Sequence, residues 1–247
     1  LKTQQALLAL DEQAQRSLCD DISQYALLEI CQRKPSRLGP RFIQLEKSRL
    51  QQLLYSWLII EANRSAFRVE KIEEKKSFRF EQLSLDTRID RIDRLEDGSL
   101  VIIDYKTSHS SISYWWGVRP NEPQLPLYSM LLEYVDSEAA GVVGSEIGNE
   151  VGGIAFAEIS IDGCSLKGVG DENLPESLIR WSDKIKTNAG VTDWAQLKRH
   201  WNKVLSILAK DFINGQAEVD PKHPPQTCQY CDFSSVCRIR HRQELST

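Results

Sequence analysis

In the run Leu100-Val101-Ile102-Ile103-Asp104-Tyr105-Lys106, an acid and a lysine stand two apart at the end of four consecutive apolar residues. Such a run reads as a strand buried on both faces, and charged residues at its end are seldom there for packing. Residues two apart on a strand leave the same side of the sheet, so the Asp104 carboxylate and the Lys106 ammonium share one site. Upstream, Leu83 to Leu95 carries Asp90 and Asp93, and Glu96-Asp97-Gly98 separates this stretch from the apolar run. Read as a three-residue loop with Gly98 left-handed, that separator pairs Leu95 with Ser99 and sets Asp90 opposite Asp104, with Cβ atoms about 4.5–5.5 Å apart. Read as a two-residue Asp97-Gly98 turn, it pairs Glu96 with Ser99 and puts Asp93 on the face of Asp104. The three-residue loop is the favoured reading.

Two carboxylates at that separation suit a hard divalent cation, Mg2+ or Mn2+, which keeps several waters. A water on such a cation has a lowered pKa, and a nearby lysine can orient it or stabilise a phosphorane oxyanion. These parts describe metal-assisted phosphodiester hydrolysis. The plainer reading is a surface hairpin laced with Arg-Asp pairs, since Arg88, Arg91 and Arg94 alternate in sign with Asp90 and Asp93. An Asp-x-Lys tripeptide alone is weak evidence.

The elements that must position these residues follow from periodicity. Leu1 to about Ile30 and Arg41 to Arg64 read as helices split at Pro35 to Pro40, with Leu50, Leu53, Leu54, Trp57 and Leu58 at helical spacing. Phe67 to Glu70, Leu83 to Leu95 and Leu100 to Tyr105 read as strands. A helix opens at Glu122-Pro123-Gln124 and runs to about Tyr134, the proline being tolerated in its first turn. A fourth strand spans Gly153 to Ile161, and two more helices lie near Pro175 to Thr187 and Thr192 to Asn214. The order is helix, three strands, helix, strand: an α/β sheet flanked by helices. Three parts are expected: a helical part over residues 1–66, a catalytic core over 67–220 and a cysteine-bearing tail over 221–247.

The 247 residues, 41% hydrophobic and 27% charged, suffice for one large core. No stretch reaches the length of a membrane span, and the start at Leu1 has neither an initiator Met nor a secretory apolar region, so the chain reads as part of a longer protein. A net charge of -4 and a pI of about 5.7 give no overall pull on nucleic acid, so any basic surface is local. Arg33, Lys34, Arg37 and Arg41 form one candidate patch, and Arg238, Arg240, His241 and Arg242 another. Of the six cysteines, Cys228, Cys231 and Cys237 cluster, unlike a secreted disulfide framework, and a reducing cytoplasm is expected. Three thiolates at this spacing suit zinc or an iron-sulfur cluster with a fourth ligand from elsewhere. Trp115 and Trp116 follow the acid-bearing strand. Core packing is the commoner fate of tryptophan, but exposed rings there, with Arg119, would suit DNA binding.

The segment Ile102-Ile103-Asp104-Tyr105-Lys106-Thr107, preceded by Arg88-Ile89-Asp90-Arg91-Ile92-Asp93 and followed by Pro123-Gln124-Leu125-Pro126-Leu127-Tyr128, resembles the RecB/AddB-type branch of the PD-(D/E)XK nucleases, and looks close to its bacterial "probable DNA repair protein" group. The resemblance spans roughly Phe67 to Tyr134 and resumes at the cysteine tail. It implies a restriction-endonuclease-like core, a mixed central sheet flanked by helices. It further implies Asp90 and Asp104 as metal ligands, Lys106 as the catalytic lysine, Gln124 and Tyr128 as residues that support the site or touch the DNA backbone, and Glu73 as an additional acidic ligand. For the tail it implies a [4Fe-4S] cluster on Cys228, Cys231 and Cys237, completed by a cysteine far upstream. The implied activity is a Mg2+-dependent deoxyribonuclease in DNA repair or recombination, joined to a helicase-like module. The alternatives are a catalytically silent nuclease-fold module that binds DNA or a helicase partner, and a zinc-dependent structural domain. Two departures stand out. Thr87 replaces the family's usual Gly, and none of His109, His200, His223 or His241 precedes the strands as the family's metal-binding His does. That His is expected upstream of Leu1.

Overall fold

The computed structural model describes residues 1–33, 39–138, 150–174, 190–223, 226–229 and 231–237. The helix expected near Pro175 to Thr187 and the basic run from Arg238 to Arg242 lie outside the described residues, as does part of the patch around Lys34 and Arg37. In chain order the elements are α1 (Gln4–Leu8), α2 (Glu12–Arg33), α3 (Pro40–Ala62), β1 (Phe67–Phe80), β2 (Leu83–Leu95), β3 (Leu100–Lys106), α4 (Gln124–Glu138), β4 (Val151–Ser160), β5 (Gly163–Gly170), α5 (Trp194–Ile213) and α6 (Ser234–Cys237). A 3-10 turn, Ile112–Trp115, follows β3.

The strands form one mixed sheet in sequence order, β1-β2-β3-β4-β5. All neighbours are antiparallel except β3 and β4, which are parallel, as a crossover through α4 requires. β3 occupies the middle, and Leu100 to Ile103 are all buried because both faces of the sheet are covered. On one face Ile92, Leu100, Ile102, Ile154 and Phe156 pack with Leu125, Tyr128 and Leu131 of α4 and Leu197 and Trp201 of α5. On the other, Val101, Ile103 and Leu95 pack with Phe67 and with Trp57 of α3. The resulting α/β sandwich is the mixed sheet flanked by helices anticipated from the sequence.

β5 was not anticipated. Gly163, Gly168 and Gly170 make the stretch look like a loop, yet it pairs with β4 from Ser160↔Gly163 to Gly153↔Gly170. β1 also runs further than expected, to Phe80, and forms a long twisted ribbon with β2. Trp115 and Trp116 are buried at 0% and 7% exposure. Trp116 stacks on Trp201 at 6.1 Å between centroids, and Trp115 lies 4.6 Å from Phe156. Trp201 Nε1 donates to the Trp115 carbonyl at 3.0 Å, which closes the cluster against α5. The expectation of exposed rings for stacking bases is therefore corrected: the α4–α5 core takes both side chains, and packing is what holds them.

Candidate active site

The loop between β2 and β3 has three residues. Leu95 N–H donates to the Ser99 carbonyl at 2.9 Å, Gly98 N–H to the Leu95 carbonyl at 3.1 Å, and Gly98 sits at φ +87°, where a side chain would be strained. The ladder then runs Arg94↔Leu100 to Arg91↔Ile103, so Asp90 and Asp104 are the next positions on the two strands. At Asp90 the backbone ladder stops and the side chain continues it: Tyr105 N–H donates to Asp90 Oδ2 at 3.0 Å. Ile89 and Ile92, three apart, both enter the α4-side core, so the side-chain alternation of β2 is broken between them. The partner strand is irregular here too. The β1–β2 register slips between Val69 and Lys71, and Glu73, lying between the pairs Ile72↔Arg91 and Glu74↔Ile89, has φ +51°. Irregularities of this kind re-aim side chains. Here they leave the half-buried Asp90 beside the amide that follows Asp104.

Asp104 is 7% exposed and its Oδ2 is buried. Lys106 Nζ lies 2.9 Å from that oxygen, an ion contact, but not in hydrogen-bond geometry, so Oδ2 accepts no aligned hydrogen bond. Burial pushes the Asp104 carboxyl above its ordinary value. Lys106 pulls it down, and the charges of Asp90 and Glu122 add to the rise. Burial pulls Lys106 down, but Asp104 and then Glu122 outweigh it, and the ammonium is held above its ordinary value. Glu122, just before α4, reaches Lys106 at 3.3 Å. The sequence marked Glu122 only as a helix opener, and its approach to Lys106 depends on the path of the 107–121 segment.

Gln124 Nε2 donates to the Tyr128 hydroxyl at 3.0 Å, and that hydroxyl donates to the Arg88 carbonyl at 3.2 Å. One turn of α4 is thus strutted against β2 two residues before Asp90. The exposed Glu73 is ion-paired to the Arg88 side chain rather than to Lys106. Arg119 is committed to the tail, with Nη1 at 2.9 Å from the Asp220 carbonyl and 3.1 Å from its Oδ2.

Asp93 lies on the opposite face, fully buried. Arg91 Nε donates to its Oδ1 at 2.7 Å and Arg64 Nη2 to its Oδ2 at 2.8 Å, while Glu61 closes the square with Arg64 at 2.8 Å and Arg91 at 2.7 Å. The Arg-Asp pairs of the sequence therefore include a buried box joining α3 to β2, rather than a wholly solvated hairpin face.

Two neighbouring carboxylates, one with a buried oxygen beside the Lys106 ammonium and the other on the amide of Tyr105, suit a hard cation that keeps most of its waters. In the tail, Cys228, Cys231 and Cys237 are free thiols. Among the described residues, at the acidic site and in the tail alike, no three His, Cys, Asp or Glu side chains are grouped to hold a metal. Among the described residues no helix is long and apolar enough to cross a membrane.

The mixed sheet flanked by helices is of the nuclease-superfamily type, and residues 4–238 match the profile of the PD-(D/E)XK nuclease superfamily: the chain belongs to that superfamily. It is similar to an ATP-dependent helicase/deoxyribonuclease subunit of Thermoanaerobacter pseudethanolicus, 27% identical over 199 residues, covering 64% of this chain and 17% of that protein. The like-named protein of Alkaliphilus oremlandii is 26% identical over 203 residues, 65% of this chain and 17% of its own length. The chain thus spans less than a fifth of the curated relatives it matches. Among solved structures, that of SSO0001 aligns over 87% of this chain and 96% of its own at 16% identity, with a TM-score of 0.33.

Proposed function

We propose that this chain is a divalent-cation-dependent deoxyribonuclease domain acting in DNA repair or recombination. The observation that carries the reading is the buried Asp104 Oδ2 with the Lys106 ammonium at 2.9 Å, and Asp90 held on the adjacent amide. Asp90 and Asp104 would hold Mg2+ or Mn2+. The bound cation supplies a water of lowered pKa and screens the phosphate charge. Lys106, kept protonated by its carboxylate neighbours, orients the attacking water or stabilises the oxyanion that forms on phosphorus. Gln124 and Tyr128 act at one remove by fixing the backbone that carries Asp90. The relatives named for helicase and deoxyribonuclease activity support a helicase-like partner and DNA as the substrate. Cluster binding by Cys228, Cys231 and Cys237, with a fourth ligand from elsewhere, is part of the same proposal.

The test is cleavage of linear single- and double-stranded DNA with Mg2+, Mn2+ or EDTA, comparing the chain with Lys106→Ala and Asp104→Asn. Cation-dependent cleavage lost in both variants is the expected result. DNA binding without cleavage under any cation would leave a silent module, and cleavage that survives both substitutions would refute the assignment.

A further inference from the structure

Glu122 is held in place by its own amide and by the anchoring of the residues just before it. The amides of Asn121 and Glu122 both donate to the Tyr114 carbonyl, at 2.8 and 3.2 Å, behind the buried tryptophans. On the other side Lys222 donates to Asn121 Oδ1 at 2.8 Å and to the Arg119 carbonyl. From this fixed point the side chain carries Oε2 to 3.3 Å from Lys106 Nζ. The next carboxylate along the sheet is elsewhere engaged: Glu158, level with Lys106 in the β3–β4 register, is ion-paired to Lys167, with Ser110 at 3.4 Å and His109 at 3.5 Å. Among the described residues, Asp104 and Glu122 are the carboxylates within ion-pair reach of the lysine.

One of those two is an acid that would hold the cation. An ammonium 2.9 Å from Oδ2 occupies the approach to that oxygen, and a divalent cation arriving there repels it. The ammonium must give up Asp104, yet it has to remain next to the reacting phosphate. Resting on the reading of Asp90, Asp104 and Lys106 as a cation site, we propose that Glu122 is the positioning residue to which Lys106 is handed over when a divalent cation takes Asp104. Glu122 thereby lowers the lysine's competition with the cation and keeps the ammonium at the rim of the site. Glu122 touches neither cation nor phosphate in this scheme and acts through Lys106.

Mn2+ binding to the full 247-residue chain, followed by calorimetry, tests this without relying on cleavage. Glu122→Gln keeps the shape and removes the charge. It is expected to weaken Mn2+ binding about tenfold, because Lys106 is left with Asp104 as its partner, whereas in a Lys106→Met background the same change should cost about twofold or less. Melting in EDTA verifies that all variants fold. A loss in the lysine-containing background less than about three times that in the methionine background overturns the proposal, since Glu122 would then act on the cation directly or not at all. Asp104→Asn separates this failure from that of the underlying reading. If Mn2+ binding survives Asp104→Asn, the cation site itself is misassigned; if it is lost there while the Glu122 and Lys106 effects are merely additive, only the positioning role falls.

Discussion

The carboxylate of Asp90 accepts the amide N–H of Tyr105 at 3.0 Å, so the first acid of the site is tied to the strand that carries the second. The side chain stands in for the rung that the β2–β3 ladder lacks beyond Arg91↔Ile103. Charge and acceptor can be separated by mutation. Asp90→Asn keeps an oxygen for Tyr105 and should melt within about 0.5 kcal/mol of the parent. Asp90→Ala removes the acceptor and should cost about 1 kcal/mol. Both should abolish cation-dependent cleavage, and urea denaturation beside a cleavage assay reads the two effects independently.

Asp104 gives a pH dependence of defined sign. Burial raises its carboxyl above the ordinary value despite Lys106. A group whose pKa is higher folded than unfolded takes up a proton on folding, so its stabilising contribution is complete below the unfolded value and disappears as pH rises through the folded one. Ionised Asp104 therefore destabilises the cation-free protein at neutral pH. Asp104→Asn should raise Tm in EDTA, by about 2–4 °C for each kcal/mol in a chain of this size, while removing stabilisation by Mn2+. In the parent, Mn2+ affinity should begin to fall on acidification at a pH above the ordinary Asp range.

The buried square of Glu61, Arg64, Arg91 and Asp93 should behave as a structural unit. Asp93→Ala takes one of the two carboxylates of the square from a pair of buried guanidiniums and is expected to cost about 3 kcal/mol, measured by urea denaturation. A Mn2+ titration of the surviving folded fraction should give the parent affinity, because Asp93 lies on the face away from Asp104. A specific loss of Mn2+ binding without loss of stability would restore Asp93 as a ligand.

The tryptophans separate packing from DNA contact. Trp115→Ala should cost about 3–5 kcal/mol as a large buried ring is lost. Trp116→Phe, a smaller change, should lower Tm while leaving single-stranded DNA affinity within about twofold, followed by fluorescence anisotropy. A large fall in affinity with Tm intact would mean that the ring reaches a base after all.

Much of this arrangement was legible from residue order. The apolar run into Asp104 announced a doubly covered central strand, and Glu96-Asp97-Gly98 contained the register, because Gly98 alone in that loop takes a left-handed backbone without strain. The break in β2 was not legible. It accompanies a positive φ at Glu73, a residue type that gives no local signal for one, so the placing of Ile89 and Ile92 in one core is a property of the β1–β2 ribbon rather than of either strand. β5 escaped because three glycines outweigh Val169 and Leu166 in any local reading; the Asp162-Gly163 pair at its start was the available clue. Glu122 escaped for a different reason. Its meeting with Lys106 is decided by how the segment after β3 folds over the aromatic core, and nothing in the spacing of the two residues encodes that path.

The strut from Tyr128 ends on the main-chain oxygen of Arg88, not on its guanidinium. A clasp on the peptide unit is blind to what that residue carries. Position 88 can therefore exchange charge, bulk or polarity next to the acids without loosening the helix from the strand, and the electrostatic character of this rim can be retuned while the backbone beneath it stays fixed.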